Sequence, residues 1–153
     1  MGPENEKVEI RVVREDAAWK KQFDSFYCDY PPPKSTLTMP HAYFAAYRDG
    51  EIVAHSVIYK KRAQWTLDGL RVKPEWRQQG IGKALTAERI RYAIKNGAKE
   101  IWYACEDGNL VTTCCHLRFG FQKVCRKGRS CPPAQVHRYR LKVTADLLQK
   151  LNT

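Results

Sequence analysis

The residues of this sequence best suited to chemistry lie between Val72 and Leu85, V-K-P-E-W-R-Q-Q-G-I-G-K-A-L. Trp65 to Val72, just before them, is a run with β-branched and aromatic residues and predicts a strand. Lys83 to Asn96, just after, contains neither Gly nor Pro and predicts a helix. The turn between is Arg77, Gln78, Gln79, Gly80, Ile81 and Gly82. A strand that passes through a Gly-containing turn into a helix aims several open backbone N–H groups at one point, where the helix dipole adds partial positive charge. The chemistry of such a turn is anion binding, and the best-suited anion is a phosphate.

Two named phosphate patterns fail on spacing. The Walker pattern needs an earlier glycine near Trp76 and a hydroxyl after the lysine, whereas Lys83 is followed by Ala84. The dinucleotide pattern needs a third glycine at Leu85, where a large side chain would hold helix and strand apart. What remains, R-x-x-G-x-G after V-x-P, resembles the acetyl-CoA loop of the GNAT family of N-acetyltransferases. In that family an Asn, a Tyr and a Gly-Phe follow at set intervals, and this chain carries Asn109, His116, Gly120 and Phe121 at those intervals. The resemblance is close over Trp65 to Val124 and elsewhere lies only in the order of elements.

The resemblance implies an α/β fold with a central mixed, mostly antiparallel sheet flanked by helices. Its strands near Val72 and Cys105 would splay to admit the cofactor. It also implies acetyl-CoA as co-substrate and direct transfer to a primary amine in a ternary complex. Backbone groups near Leu70 and Val72 would pair with the pantetheine arm, and the N–H groups of Gln78, Gln79, Gly80, Ile81, Gly82 and Lys83 would hold the pyrophosphate, with Arg77 and Arg118 as neighbouring cations. Asn109 would bond the pantetheine or serve only as a helix N-cap.

Acetyl transfer to an amine needs a neutral amine, a polarised thioester and a proton for the departing thiolate. Asp68 lies two and four residues before Leu70 and Val72, so period-two alternation puts it on their face of the strand. It is either a base, if burial raises its pKa, or a structural acceptor. Glu106 is the competing base. His116 stands where the family places the Tyr that protonates the thiolate; imidazole can keep that role, or the role is lost. Tyr103 and His41 are weaker donors. The missing Tyr also leaves open a non-catalytic acyl-CoA-binding module.

At 153 residues the chain suits one domain, residues 1–153. No apolar run of about 18 residues is present to span a membrane, and the N-terminus has no apolar leader, so a cytoplasmic protein is expected. The six cysteines form no C-x-x-C pair, which argues against a metal site. Cys105 reads as a small core residue. Cys115 beside His116 is a poor nucleophile pair, because adjacent helical residues point about 100° apart.

Net charge is +11, and no Asp or Glu occurs between Gly108 and Ala145, where Arg118, Lys123, Arg126, Lys127, Arg129, Arg138, Arg140 and Lys142 fall. This basic stretch either helps hold the CoA phosphates or offers a landing surface for RNA or an acidic protein, including a ribosome-borne acceptor. Pairing into a homodimer is a further implication of the family.

The remaining elements follow from pattern. Val8 to Val13 alternates as a strand, and Ala17 to Tyr27 has the aromatic spacing of an amphipathic helix. Pro31 to Pro33 break the chain into a loop reaching Pro40. Tyr43 to Tyr47 and Ile52 to Lys60 flank Asp49-Gly50 and predict a hairpin. The helix after the loop is expected to bury Ala84, Ala87, Ile90 and Ile94, and Asn96-Gly97 to end it. Strands are expected at Glu100 to Cys105, Phe121 to Val124 and Val136 to Val143, and a short helix at Ala145 to Leu151.

Overall fold

The computed structural model describes residues 8–106, 116–124 and 136–152, without the side chain of Glu106. Asn109, Cys114, Cys115, Cys125, Arg126, Lys127, Arg129 and Cys131 lie outside the described residues. Seven strands form one sheet: β1 (Glu9–Val12), β2 (His41–Arg48), β3 (Glu51–Lys61), β4 (Gln64–Val72), β5 (Glu100–Glu106), β6 (Gln122–Val124) and β7 (Val136–Lys142), in the order β1-β2-β3-β4-β5-β7-β6. All neighbours are antiparallel except β4 and β5.

Among the described residues, three helices cover the sheet: α1 (Ala17–Phe26), α2 (Ile81–Lys95) and α3 (Ala145–Leu151). Helix α1 starts where the Asp16 carboxylate accepts the Trp19 N–H at 2.9 Å, and its buried face is Trp19, Phe23 and Phe26. These rings pack with Tyr27, Tyr43, Val57 and Ile52 in one core layer. On the opposite face, Leu85, Ile90 and Ala93 of α2 and Leu147 and Leu151 of α3 pack with Trp65, Leu67, Ile101, Tyr103 and Leu141. The hairpin turn of β2 and β3 holds Asp49 and Gly50 at φ 50° and 79°, the left-handed pair that the strand twist requires.

Two features of the sheet differ from an even alternation and position the site. The first is a bulge in β4. Ala54 pairs with Val72 and His55 with Arg71, but Val57 pairs with Asp68, so one extra residue of β4 is accommodated around Gly69 at φ 57°. The bulge inverts the side-chain phase. Trp65 and Leu67 before it and Leu70 and Val72 after it all pack on the α2 side, which puts Asp68 on the opposite face from Leu70 and Val72. The expectation that Asp68 shares their face is therefore corrected. The legible signal was Gly69 inside a strand pattern.

The second feature is the divergence of β4 from β5. They pair only at Trp65 with Ile101 and Thr66 with Trp102, so the strands splay toward Val72 and Cys105.

The buried stripe of α2 is also rotated from the expected one. Ile81, Leu85, Thr86, Arg89, Ile90 and Ala93 are buried, whereas Ala84, Ala87 and Ile94 are half-buried. Hydropathy places Arg89 outside; the bulge brings it inside. Its Nη1 donates at 3.1 Å to both Val57 O and Asp68 O, the carbonyls of the pair beside the bulge.

Candidate functional site

The loop between β4 and α2 is built from unusual backbone. Pro74–Trp76 form one 3-10 turn, Gln78 sits at φ 63° and Gly80 at φ 81°. Residues of the left-handed region among right-handed ones fold successive N–H groups into an anion-binding concavity. A Cβ on Gly80 would meet nothing within 4 Å, so conformation rather than packing requires glycine there. Gly80 is the N-cap of α2, and no side chain caps the helix. The first bond of the helix runs from Ala84 N to Gly80 O at 2.9 Å, which leaves the N–H groups of Ile81, Gly82 and Lys83 directed out of the first turn. Ile81 and Gly82 are thus helical, two residues earlier than the sequence pattern suggests.

The side chain of Arg77 turns back, Nε donating to Val72 O at 3.0 Å, and so braces the loop against β4. Gln79 does the same more weakly, at 3.4 Å to Glu75 O. Beside Gly80, a cavity of about 460 Å³ is lined by Lys83, Arg91, Arg118 and Lys150. Lys83 in the uncapped first turn, with Arg118 and Lys150 on the same cavity, suits a polyphosphate, while Arg91 is paired with Glu88 at 2.7 Å.

The splay opens a second cavity, of about 340 Å³. One wall is β4 from Leu67 to Arg71, and the other is Tyr103, Ala104 and Cys105 of β5 with His116. Beyond Thr66 the edge of β4 facing β5 is not paired by it, which leaves strand-edge groups to receive an extended amide-bearing chain. Tyr27, Tyr30 and Pro31 to Pro33 form the rim, and Arg89 is at the wall.

The structure brings His116 and Asp68 to this cavity. His116 is 2% exposed and stacks on Tyr103 with centroids 4.1 Å apart, while Phe121 meets its edge at 5.6 Å. Asp68 is exposed and accepts the Gly69 N–H at 2.8 Å; the desolvated surroundings of a buried base are absent. Glu106 is the last residue of β5. Asn109 lies outside the described residues. His41 is elsewhere: burial pulls its pKa down, but bonds to Glu15 and the Met39 carbonyl, with the Glu15 charge, outweigh this and raise it.

Of three further groups at the cavity, the sequence offers Tyr103 as a weaker donor and gives no sign of the other two. The Tyr103 hydroxyl is buried and has no hydrogen-bond partner among the described residues; burial raises its pKa strongly, so it is a neutral hydroxyl. The Tyr27 hydroxyl lies 3.0 Å from His55 Nδ1, and burial, assisted by Arg89, pushes His55 down to about 3. Arg71 stacks its guanidinium over Tyr30 at 4.6 Å and bridges to Asp29 at 3.0 Å. Each side chain comes from a different element, so no local spacing joins them.

The model of the acetyltransferase (GNAT) family matches residues 9–121. The chain belongs to this family. It is an acetyl-CoA-using N-acetyltransferase, and the loop, the cationic cavity and the open strand edges fit that donor. Among solved structures, a GNAT acetyltransferase from Staphylococcus aureus superposes with a TM-score of 0.68 at 14% identity, covering 89% of this chain and 100% of that one. A Bacillus subtilis acetyltransferase, solved in complex with CoA, gives 0.63 at 17% identity over 90% and 100%. The ribosomal-protein-S18-alanine N-acetyltransferase of Escherichia coli gives 0.66 at 15% over 88% and 91%. These identities establish the shared fold. No curated protein matches the sequence. Among the described residues, no helix is long and apolar enough to cross a membrane.

Proposed function

We propose that this GNAT enzyme transfers the acetyl group directly to a primary amine bound in the cavity between β4 and β5. The observation that carries the reading is the splay itself. It joins the anion-binding loop to a cavity holding a carboxylate, an imidazole and a neutral phenol hydroxyl. The pyrophosphate of the donor would lie on the N–H groups of Gln78 to Lys83, with Lys83 and Arg118 adding charge. Its pantetheine arm would run along Leu70 to Val72.

In this reading the amine enters from the rim formed by Tyr30 and the prolines. Its excess proton leaves to water at the exposed Asp68 carboxylate, which relays it to solvent instead of holding it as a buried base, with Glu106 as the other carboxylate. The amine nitrogen attacks the thioester carbonyl, the C–S bond breaks, and the thiolate takes a proton from His116 or from Tyr103 stacked on it. The basic surface is a second reading for the acceptor side. Arg138 and Arg140 lie over the Trp102 ring at 4.3 and 5.7 Å on one sheet face, a cation and aromatic pairing that suits a polyanion-borne acceptor. It predicts binding to RNA with a steep salt dependence that weakens when Arg138 and Arg140 are neutralised.

Calorimetric titration with acetyl-CoA tests the loop. Gly82→Pro removes one first-turn N–H at a position where proline fits a helix, and Gly80→Pro cannot adopt φ 81°. Micromolar binding by the wild type, lost in the double substitution with melting temperature preserved in Gly82→Pro alone, supports the site. Undiminished binding by the double variant removes the loop from it.

A further inference from the structure

Among the described residues, the cavity between β4 and β5 carries two guanidinium groups, Arg71 and Arg89, and the carboxylate of Asp68. All three lie close enough to the Tyr27 hydroxyl to act on it electrostatically. Arg89 is fully buried and spends its donors inside the fold, on Leu85 O, Val57 O, Asp68 O and the Thr86 hydroxyl. Arg71 is placed differently. Its guanidinium carbon lies over the rings of Phe26 and Tyr30, 5.6 and 4.6 Å from their centroids. Nη1 donates to Phe26 O at 3.5 Å and Nη2 reaches Asp29 at 3.0 Å. These contacts leave Nε–H and one further N–H on each terminal nitrogen, in a guanidinium whose orientation is already fixed.

A wall with an excess of positive charge serves an amine acceptor in one respect, since it favours the neutral, nucleophilic nitrogen over the ammonium. It also penalises any acceptor that arrives with only positive charge. An acceptor bearing a negative group of its own escapes that penalty. Asp29 does not remove the excess, because its side chain is 70% exposed and its charge is screened by water. The cavity measures about 340 Å³ and must also admit the thioester end of the donor, so the acceptor is small.

We propose that the acceptor is a small amine that carries a carboxylate beside the nitrogen, as a free amino acid does, with Arg71 holding the carboxylate and Asp68 facing the amine. This rests on the reading of the cavity as the acceptor site. Arg71 is a specificity-determining residue, planar and pre-oriented for a two-oxygen anion. Tyr30 and Pro31 to Pro33 close over the acceptor side chain. A peptide N-terminus, whose α-carboxylate is an amide, does not satisfy Arg71.

The test compares amino acids with their decarboxylated amines and carboxamides in a CoA-release assay, phenylalanine, phenethylamine and phenylalaninamide forming one set. Amino acids are expected to lead their partners in kcat/KM by about tenfold or more, the size of one charge-assisted contact. Arg71→Met should collapse that ratio, and Arg71→Lys, which keeps charge without the fork, should restore part of it. Independently of turnover, the Arg71 Nε–H resonance should shift on titration with 3-phenylpropionate. Amines or carboxamides acetylated as well as the amino acids overturn this inference and leave the acetyltransferase site standing. A selectivity ratio unchanged in Arg71→Met, or an unmoved resonance, also overturns it. Acetyl-CoA binding with no acetylation in any set brings down the acceptor-site reading and this inference with it.

Discussion

The Tyr27 hydroxyl and His55 Nδ1 meet at 3.0 Å between α1 and the sheet, a phenol at the cavity wall backed by a fully buried imidazole. Phe23 stands edge-on to the His55 ring at 5.1 Å and Tyr43 leans on it at 5.6 Å. A ring among aromatic neighbours is costly to charge, and burial first, then Arg89, hold His55 at about 3 against an ordinary 6.5. Nε2 is buried without a hydrogen-bond partner among the described residues, and in the tautomer protonated there Nδ1 accepts the Tyr27 O–H. The lone pairs of Tyr27 are then turned to the cavity, where they can accept from an amine.

An acid-stability prediction follows from that depressed value. The unfolded chain binds a proton on His55 below about pH 6.5 and the folded chain only near pH 3, so the stability due to neutral His55 is complete above 6.5 and drains away as pH falls toward 3. The slope it adds is at most about 1.4 kcal/mol per pH unit. Urea denaturation of wild type and His55→Phe between pH 4 and 7 isolates the contribution, since carboxylates act equally in both. Parallel profiles would show that His55 is not held neutral.

Arg89 should be among the costliest side chains to replace. Arg89→Met keeps the stem but strips Val57 O and Asp68 O of a donor at the bulge. Leaving buried carbonyls unsatisfied costs about 2–4 kcal/mol in total. Arg89→Lys, with one ammonium and no fork, should recover only part. The urea midpoints of the three proteins check this; a methionine variant as stable as the wild type contradicts it.

The bulge that recruits Arg89 also marks the limit of what the sequence reveals. Strand and helix identities follow from period, and the hairpin from Asp49-Gly50, because those signals are local. The loop proposed to hold the phosphates is legible for the same reason, its residues being contiguous from Arg77 to Lys83. The face of Asp68 is not, because a single extra residue near Gly69 inverts everything after it. The buried Arg89 is not either, since a helical pattern treats a cation as solvent-facing until two carbonyls from other strands are known to meet it. Tyr27, His55, Arg71 and Tyr103 come from α1's end, β3, β4 and β5, and only tertiary structure brings them to one cavity or against its wall.

Tyr103 and His116 can be separated as proton donors. A buried hydroxyl with no partner contributes little to stability, so Tyr103→Phe should melt within about 0.5 kcal/mol of wild type or above it. If that hydroxyl protonates the thiolate, kcat falls by about 10²–10⁴ with acetyl-CoA affinity unchanged. If His116 is the donor, His116→Ala shows that loss instead and Tyr103→Phe stays active. Turnover unchanged in both variants removes both from the proton step.

Gly69 couples the rim of the cavity to the bulge, and its substitution can be divided into two costs. Its φ of 57° strains any side chain, and a Cβ would stand 3.1 Å from Pro33 Cγ, 3.2 Å from Pro33 Cβ and 3.3 Å from Val57 Cγ1. Gly50, at φ 79° with nothing within 4 Å of its Cβ position, carries the conformational cost alone. Gly50→Ala should therefore lose about 1 kcal/mol, and Gly69→Ala about 1–3 kcal/mol. The excess arises because Val57 is buried and cannot yield, so Pro33 must move. Pro33 lines the cavity, and its displacement should raise the acceptor KM in Gly69→Ala by more than it weakens acetyl-CoA binding, while Gly50→Ala alters neither. Denaturation curves give the first comparison, and steady-state kinetics with calorimetry the second. Equal destabilisation in the two variants would mean that the prolines yield freely and do not fix the rim.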